Sequence, residues 1–275
     1  MNIWAITHEA FIRLSFFLGI LALMALWEFL APRRILTTSK ATRWMSNLGI
    51  AFLDTLIVRW LLPMGAVSLA ILVHEQGWGL LSRLDIPYGL AIGASVIGLD
   101  LVVYLQHVMF HAIPILWRLH RVHHTDLDFD VTTGIRFHPL EIILSMGIKL
   151  GVISVLGPPI VAVLAFEVLL NATALFNHSN IRIPSKLDRV LRFFVVTPDM
   201  HRIHHSVLAG ETNRNFGFNL PWWDLLLGTY RHQPADGHEG MVIGLPEFRD
   251  AHRLTLPWML ALPFMGKPGK YALSH

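Results

Sequence analysis

The chain has 275 residues, of which 53% are hydrophobic and 15% are charged, and its formal net charge at pH 7 is +3. Because a soluble domain usually carries about 25% charged residues, this composition favours a membrane protein. The chain has no cysteine, which excludes disulfides, thiolate metal ligands, iron–sulfur clusters and cysteine nucleophiles. The small positive surplus forms no basic groove signature, so we expect no nucleic-acid partner.

Three apolar runs in residues 1–106 predict three membrane helices. They cover residues 14–30, 48–73 and 88–106, with Asp54 and Arg59 interrupting the second run and Asp100 the third. The first run lacks a basic leading segment and a small-residue cleavage site. We therefore interpret it as a retained helix rather than a signal peptide.

A fourth apolar region, residues 140–176, is about twice as long as one crossing requires. The sequence Gly157-Pro158-Pro159 divides it, and proline pairs end helices, so it predicts a hairpin of two short membrane helices. Lys149 and Glu167 stand at equal distances from Pro158, and we predict that they pair, because lone charges at that depth are costly. The competing interpretation places Glu167 near a metal site.

Loop charges predict an orientation. Basic residues gather in residues 33–43, 118–136 and 182–192, whereas residues 74–87 carry one arginine against two acids. The positive-inside rule places the three basic segments in the cytoplasm and the N-terminus on the opposite side.

The predicted fold is therefore an all-α integral membrane bundle of about four spans, the last a hairpin, with a cytoplasmic helical cap. We expect one domain, residues 1–275. It divides into membrane helices (1–106), the first histidine-rich segment (107–139), the hairpin (140–178) and the cap (179–275), which contains no run long enough to span a membrane.

Eight of the sixteen histidines fall in three short boxes, HVMFH, HRVHH and HRIHH. Residues three and four apart share a helical face, so each box directs its imidazoles one way. A single histidine on an apolar face is usually a core residue, but three boxes with matched spacing indicate metal binding. Imidazole suits Zn, Cu, Fe and Ni alike, and eight ligands indicate two ions rather than one. The box histidines are His107, His111, His120, His123, His124, His201, His204 and His205.

These boxes resemble the HxxxH, HxxHH and HxxHH boxes of the fatty acid hydroxylase and sterol desaturase superfamily. The flanking words LWRLHRVHHTD, TPDMHRIHHS and NFGFNLPWWDLLLGTY agree with that pattern, and the likeness covers roughly residues 95–232. The pattern is similar to the bacterial sterol-desaturase-like and alkylglycerol monooxygenase branches.

The resemblance implies a non-haem centre of two Fe ions, with O₂ as co-substrate, that hydroxylates or desaturates a lipid C–H bond. The lipid would be a sterol, a fatty acyl chain or an alkyl-ether lipid from the bilayer. Electrons would come from a separate donor, such as ferredoxin, cytochrome b5 or a reductase. We expect a multi-pass protein of a bacterial inner membrane with its histidine boxes in the cytoplasm.

The resemblance also implies that His178, in LFNHSN, is a further ligand. His138, in RFHPLE, resembles the His-Pro word of sterol-modifying members and is a candidate ligand. The remaining histidines are isolated, and we predict that they are surface residues: His8, His74, His232, His238, His252 and His275.

Carboxylates often orient metal-bound histidines. Asp100 lies seven residues before His107, on the same helical face, and is our candidate for this role. The alternative is that Asp100 pairs with an arginine or asparagine elsewhere in the bundle. Asp199 and Asp224 are further candidates of the same kind.

Two other classes of protein compete with the enzyme. A membrane metal transporter or storage protein would place its ligands along a path within the spans. A haem-binding electron carrier needs about four axial histidines on facing membrane helices, fewer than the boxes provide. Clustering of the boxes at one predicted membrane face favours the enzyme.

Overall fold

The computed structural model describes residues 8–267, and within that range its regular structure is helical, with two isolated β-bridges and no strand. The α-helices of this part of the chain are α1 (Glu9–Leu30), α2 (Lys40–Leu61), α3 (Ala66–Glu75), α4 (Tyr88–Ala112), α5 (Pro114–His124), α6 (Pro139–Leu156), α7 (Ile160–Asn177), α8 (Ser185–Leu191), α9 (Pro198–His204), α10 (Ala209–Thr212), α11 (Trp222–Leu226), α12 (Gly237–Gly240) and α13 (Leu256–Ala261).

Five segments are long and apolar enough to cross a membrane: α1, α2 together with α3, α4, α6 and α7. The 18 residues of α6 or α7 extend about 27 Å, close to the thickness of a bilayer's hydrocarbon core. The predicted all-α membrane bundle with a terminal hairpin is confirmed, and the chain is a multi-pass membrane protein.

Three spans differ from their predicted bounds. The first begins at Glu9 instead of residue 14. The second begins at Lys40, where the Ser39 hydroxyl caps the helix by accepting from the Thr42 amide, and it breaks near Pro63 before continuing as α3. The third runs on to Ala112 and therefore carries the whole first box. Apolar runs predicted the membrane-embedded part, but helices extend beyond it into polar sequence.

The turn of the hairpin lies at the end of the bundle remote from the boxes. Gly157 ends α6 with φ of 63° and packs directly against Gly79, so a side chain at either position would collide with the other backbone. The Leu80 amide donates to the Val155 carbonyl at 2.9 Å. This contact joins the loop after α3 to the hairpin.

The predicted pairing of Lys149 with Glu167 is confirmed. Glu167 also binds Arg13 of α1, whose Nη2 stands 2.9 Å from Glu167 Oε2. Both carboxylate oxygens of Glu167 are thus engaged by cations, so the competing interpretation of Glu167 as a support for the metal site is wrong. The ion cluster instead joins α1 to both helices of the hairpin.

Several arginines counted as topology signals have an internal structural role. Arg43 is fully buried, and its guanidinium donates to both oxygens of Asp126 at 2.6 and 2.8 Å and to Asp130 at 2.5 Å. Arg136 is also buried and donates to Asn47 Oδ1 at 2.9 Å. Because these contacts hold the segment after the second box, the charges have a structural explanation independent of membrane orientation.

Four of the isolated histidines are exposed, as predicted: His8, His74, His232 and His252. His238 is buried, contrary to the prediction, because α12 packs against α9 and brings its ring near Asp199. His275 lies outside the described residues.

Replacing Glu167 by Gln should lower the free energy of unfolding by about 3 kcal/mol, because two cations lose their common partner. The double variant Lys149→Met with Glu167→Gln should recover part of that loss. Thermal unfolding in detergent micelles measures both, with the exposed Glu75→Gln as the control. A Glu167→Gln midpoint equal to that of the control would contradict this role.

Candidate metal centre

Nine buried histidines converge where α4, α5, α7 and α9 meet, and none is more than 6% exposed. The first box ends α4, and the chain then turns at the extended residue Ile113 before Pro114 starts α5 with the second box. The third box lies on α9 and at its C-terminal cap, and His178 caps the C-terminus of α7.

The nine histidines form two groups, and within each group one nitrogen per residue lies within 4.8 Å of all the others. The second and third boxes each supply both groups, because consecutive helical residues point about 100° apart. One group, the five-histidine group, contains His107, His111, His120, His124 and His204. The other, the four-histidine group, contains His123, His178, His201 and His205.

Five of the rings have an oxygen acceptor at Nδ1, which takes the N–H and leaves the lone pair on Nε2. The acceptors are the Phe216 carbonyl for His107 (2.8 Å), Asn213 Oδ1 for His111 (3.2 Å), Glu141 Oε1 for His120 (2.6 Å), the Ala174 carbonyl for His178 (2.8 Å) and the Arg214 carbonyl for His204 (2.9 Å).

The Nε2 atoms face one another at close range. His107 Nε2 and His120 Nε2 are 3.1 Å apart, although both carry lone pairs and cannot hydrogen-bond to each other. His178 Nε2 lies 3.0 Å from His123 Nε2 and 3.1 Å from His201 Nε2. Two imidazole nitrogens at about 2.1 Å from one metal stand about 3.0–3.4 Å apart for bond angles of 90–109°. The geometry therefore fits metal ions in both groups.

The charge state of the rings agrees with this arrangement. Burial lowers the pKa of His120 and of His178 to about 3. Burial and the neighbouring imidazoles lower the pKa of His204 and His205 well below the usual histidine range. The rings are therefore neutral at pH 7, which is the form that binds metals. Both groups could bind metal ions.

The carboxylate that contacts a box histidine is Glu141, which the sequence analysis missed. It is buried in the first turn of α6 and accepts from His120 Nδ1. The signal in the sequence that could have identified Glu141 is an acidic residue at the start of an apolar membrane helix. His138 instead caps α6 by accepting from the Leu140 amide at 3.2 Å, and it belongs to neither group. In RFHPLE, the residue that reaches the site is thus the glutamate.

Asp100 does not contact His107 as predicted. It accepts from Trp223 Nε1 at 2.8 Å and from the Asn219 and Leu220 amides at 3.3 and 3.2 Å. Residues seven apart on a helix share a face, but Asp100 and His107 are separated by about 10 Å along the helix axis. Asp100 therefore fixes the segment of the cap that crosses α4.

Asp224 holds the loop beside His107 instead of contacting a box histidine itself. It accepts from the amides of Phe216 and Gly217, both at 2.8 Å, and the Phe216 carbonyl in turn accepts from His107. Burial raises the pKa of Asp224 to about 6. The carboxylate thus holds the loop that orients His107.

Asp199, although it precedes the third box, turns away from the imidazoles of that box. Its carboxylate binds Arg202 and accepts from Arg33 Nε at 3.3 Å. Asp199 lies in the first turn of α9, two residues before His201. Because residues two apart on a helix point about 200° apart, the two side chains lie on opposite sides of α9. The prediction that Asp199 orients a box histidine is wrong.

A cavity of about 860 Å³ is lined by helices of the bundle and reaches His107, His120 and His123. Its walls come from α1, α2, α4, α6 and α7 and are mainly apolar, with residues such as Phe110 and Phe166. α1 packs on α7 and α2 packs on α6, so the cavity lies between these two pairs. Its volume is within the range of sites for drug-sized ligands.

Comparisons with known proteins agree with this geometry. The family model for fatty acid hydroxylases matches residues 92–229. The chain is 27% identical to an ornithine lipid hydroxylase, OlsE, of Rhizobium tropici over 79% of the chain and 66% of that protein. It is 27% identical to the alkylglycerol monooxygenase of Homo sapiens over 55% of the chain, and 26% identical to that of Danio rerio over 62%. No solved structure matches.

The fold and site thus define a multi-pass membrane protein with a buried polyhistidine centre. The chain belongs to the fatty acid hydroxylase family, whose model covers half of its length, including all three boxes. The matched region spans just under two thirds of the ornithine lipid hydroxylase and about a third of the alkylglycerol monooxygenases.

Replacing Gly134 by Ala should disturb the four-histidine group. A Cβ there would stand 2.5 Å from the Ala174 carbonyl and 3.2 Å from His178 Nδ1, directly beside the hydrogen bond that joins these two atoms. We expect less bound metal per chain and a loss of about 1–3 kcal/mol in stability. Gly147→Ala, which meets nothing within 4 Å, is the control. Unchanged metal content, measured by mass spectrometry, would contradict the expectation.

Metal-depleted protein should lose stability as the pH falls from about 6.5 toward 3. Unfolded histidines take up protons near pH 6.5, whereas folded His120 and His178 do so only near pH 3. The unfolded state binds more protons within this window, so each such group lowers stability by about 1.4 kcal/mol per pH unit. Denaturant unfolding of chelator-treated protein tests this, and a midpoint independent of pH between 6.5 and 4.5 would disprove it.

Proposed function

We propose that this protein is a membrane-bound, O₂-dependent oxidoreductase that oxidises a lipid C–H bond at a centre of two iron ions. The observation that carries the proposal is the convergence of histidine nitrogens in two groups beside a lipid-sized cavity. The proposed ligands are the members of the two histidine groups. When bound, the iron pair would supply the activation of O₂ needed for C–H oxidation.

The chain's own residues prepare the site. Glu141 accepts the His120 Nδ1–H, which fixes the ring direction and increases the basicity of Nε2. Backbone carbonyls of Phe216, Ala174 and Arg214 do the same for three other rings. The mainly apolar walls would receive a chain-like substrate and align it with the histidines.

A lipid substrate is supported by the position of the cavity among membrane helices and by the names of the relatives, a lipid hydroxylase and alkylglycerol monooxygenases. Those names favour hydroxylation over desaturation. The chain needs electrons from a separate donor, and ferredoxin, cytochrome b5 or a reductase are the candidate classes. We also propose a bacterial inner membrane location with the boxes in the cytoplasm, following the loop charges.

A metal transporter is less well supported, because the histidines form two compact groups instead of lining a path through the bundle. A haem carrier is disfavoured by the short spacing between Nε2 atoms, which leaves no room for a porphyrin between His107 and His120.

Lipid extracts from cells with and without the protein should differ by the addition of oxygen, or the loss of two hydrogens, in one lipid class. Mass spectrometry of membranes supplied with O₂ and reductant measures this difference. Iron-loaded protein that leaves every lipid class unchanged, while its electron donor turns over, would contradict the proposed function.

His123→Ala and His204→Ala should each remove one of the two metals, because the residues belong to different groups. We expect about half the metal content and a loss of lipid oxidation of more than about 100-fold in each, with the helical fold retained. The exposed His252→Ala is the control. Full metal content and activity in both variants would rule out the ligand assignment.

A further inference from the structure

Asp54 is a carboxylate inside a predicted membrane span that lacks a partner for one oxygen. It lies on the interior face of α2 and is 7% exposed, and its Oδ1 is buried without a hydrogen-bond donor. The side chain lines the cavity that reaches the histidines. An unpaired carboxylate in an apolar span is costly and is usually retained for a function.

Glu141 presents a second carboxylate to the same cavity. Its Oε1 is occupied by His120, but its Oε2 is buried without a partner. Asp54 and Glu141 line the same cavity, and nearby carboxylates repel each other when both are ionised. The two acids therefore offer unpartnered oxygens to a common space.

The cations that line the cavity do not neutralise this pair. Lys149 and Arg13 are both engaged by Glu167, and Arg59 is on an exposed position of α2. Among the described residues, no lysine or arginine donates a hydrogen bond to Asp54 Oδ1. A bound molecule that carries positive charge and N–H donors would satisfy both carboxylates.

We propose that Asp54 and Glu141 form a binding site for the ammonium group of an amine-bearing amphiphile. An ammonium group has three donors, enough for Asp54 Oδ1 and Glu141 Oε2 together, and charge-assisted hydrogen bonds of this kind are about twice as strong as neutral ones. The apolar walls of the cavity receive the chain of the amphiphile.

The site lies beside the proposed metal centre, because Glu141 contacts both the ammonium position and His120. An amphiphile anchored in this way would place carbons close to its polar end next to the histidines. Asp54 is thus a specificity-determining residue. The assignment deepens the proposed function by naming an amine-bearing lipid as the substrate class, but binding does not require turnover.

Photo-crosslinking tests binding directly. The probe is a dodecylamine with a mid-chain diazirine, and the matching dodecanol is its neutral counterpart. The full chain is reconstituted in phosphatidylcholine nanodiscs, since that headgroup has no N–H donor. Labelled peptides from α2, α4 and α6 are quantified by mass spectrometry in the native chain, in Asp54→Asn and in the exposed-loop control Asp85→Asn.

We expect the amine probe to label cavity peptides about tenfold more than the alcohol probe in the native chain. Asp54→Asn should remove that preference, and Asp85→Asn should keep it. Equal labelling by both probes in the native chain would overturn the proposal, as would an amine preference that persists in Asp54→Asn. The native-chain comparison decides the question even if Asp54→Asn does not fold.

The two proposals fail separately. Amine-selective labelling by a protein that never oxidises a lipid would contradict the enzymatic function alone. Oxidation of lipids that carry no amine, together with unselective labelling, would contradict the ammonium site alone.

Discussion

Imidazoles whose Nδ1–H groups are already donated can present only Nε2 lone pairs, and the rest of the structure depends on this constraint. His107 and His120 have their Nδ1–H groups donated to fixed oxygens, yet their Nε2 atoms stand 3.1 Å apart. Lone pairs at that distance repel each other unless a cation lies between them. The surrounding fold must therefore hold the rings rigidly, and a bound cation turns the repulsion into attraction.

The fold supplies that rigidity through buried polar anchors at the histidine end of the bundle. Arg43 clamps the segment that follows the second box, and Asp224 holds the loop whose carbonyl orients His107. At the opposite end, the hairpin turn packs against the loop after α3, and the Glu167 ion cluster joins α1 to the hairpin. The cavity extends from the Glu167 ion cluster to His107, His120 and His123.

The sequence predicted the features that leave a local pattern, such as membrane spans. It missed the features that depend on which distant residues come into contact. Apolar runs and the Pro158 interruption predicted the spans and the hairpin, and the repeated box spacing indicated a cluster of histidines. Spacing did not predict that the second and third boxes would each divide between two groups, because that depends on how α5 and α9 pack. It also led to Asp100 and missed Glu141, since a shared helical face gives no information about depth.

X-ray absorption at the iron edge of the purified protein tests the central claim most directly, because it reports the atoms around the metal. The account predicts iron with a first shell of nitrogen at about 2.0–2.2 Å and the outer-shell scattering of several imidazole rings. That signal should weaken in proportion when His178, which belongs to the four-histidine group, is replaced by Ala. Iron surrounded by oxygen ligands without imidazole scattering, or protein that binds no iron when it is supplied, would contradict the account.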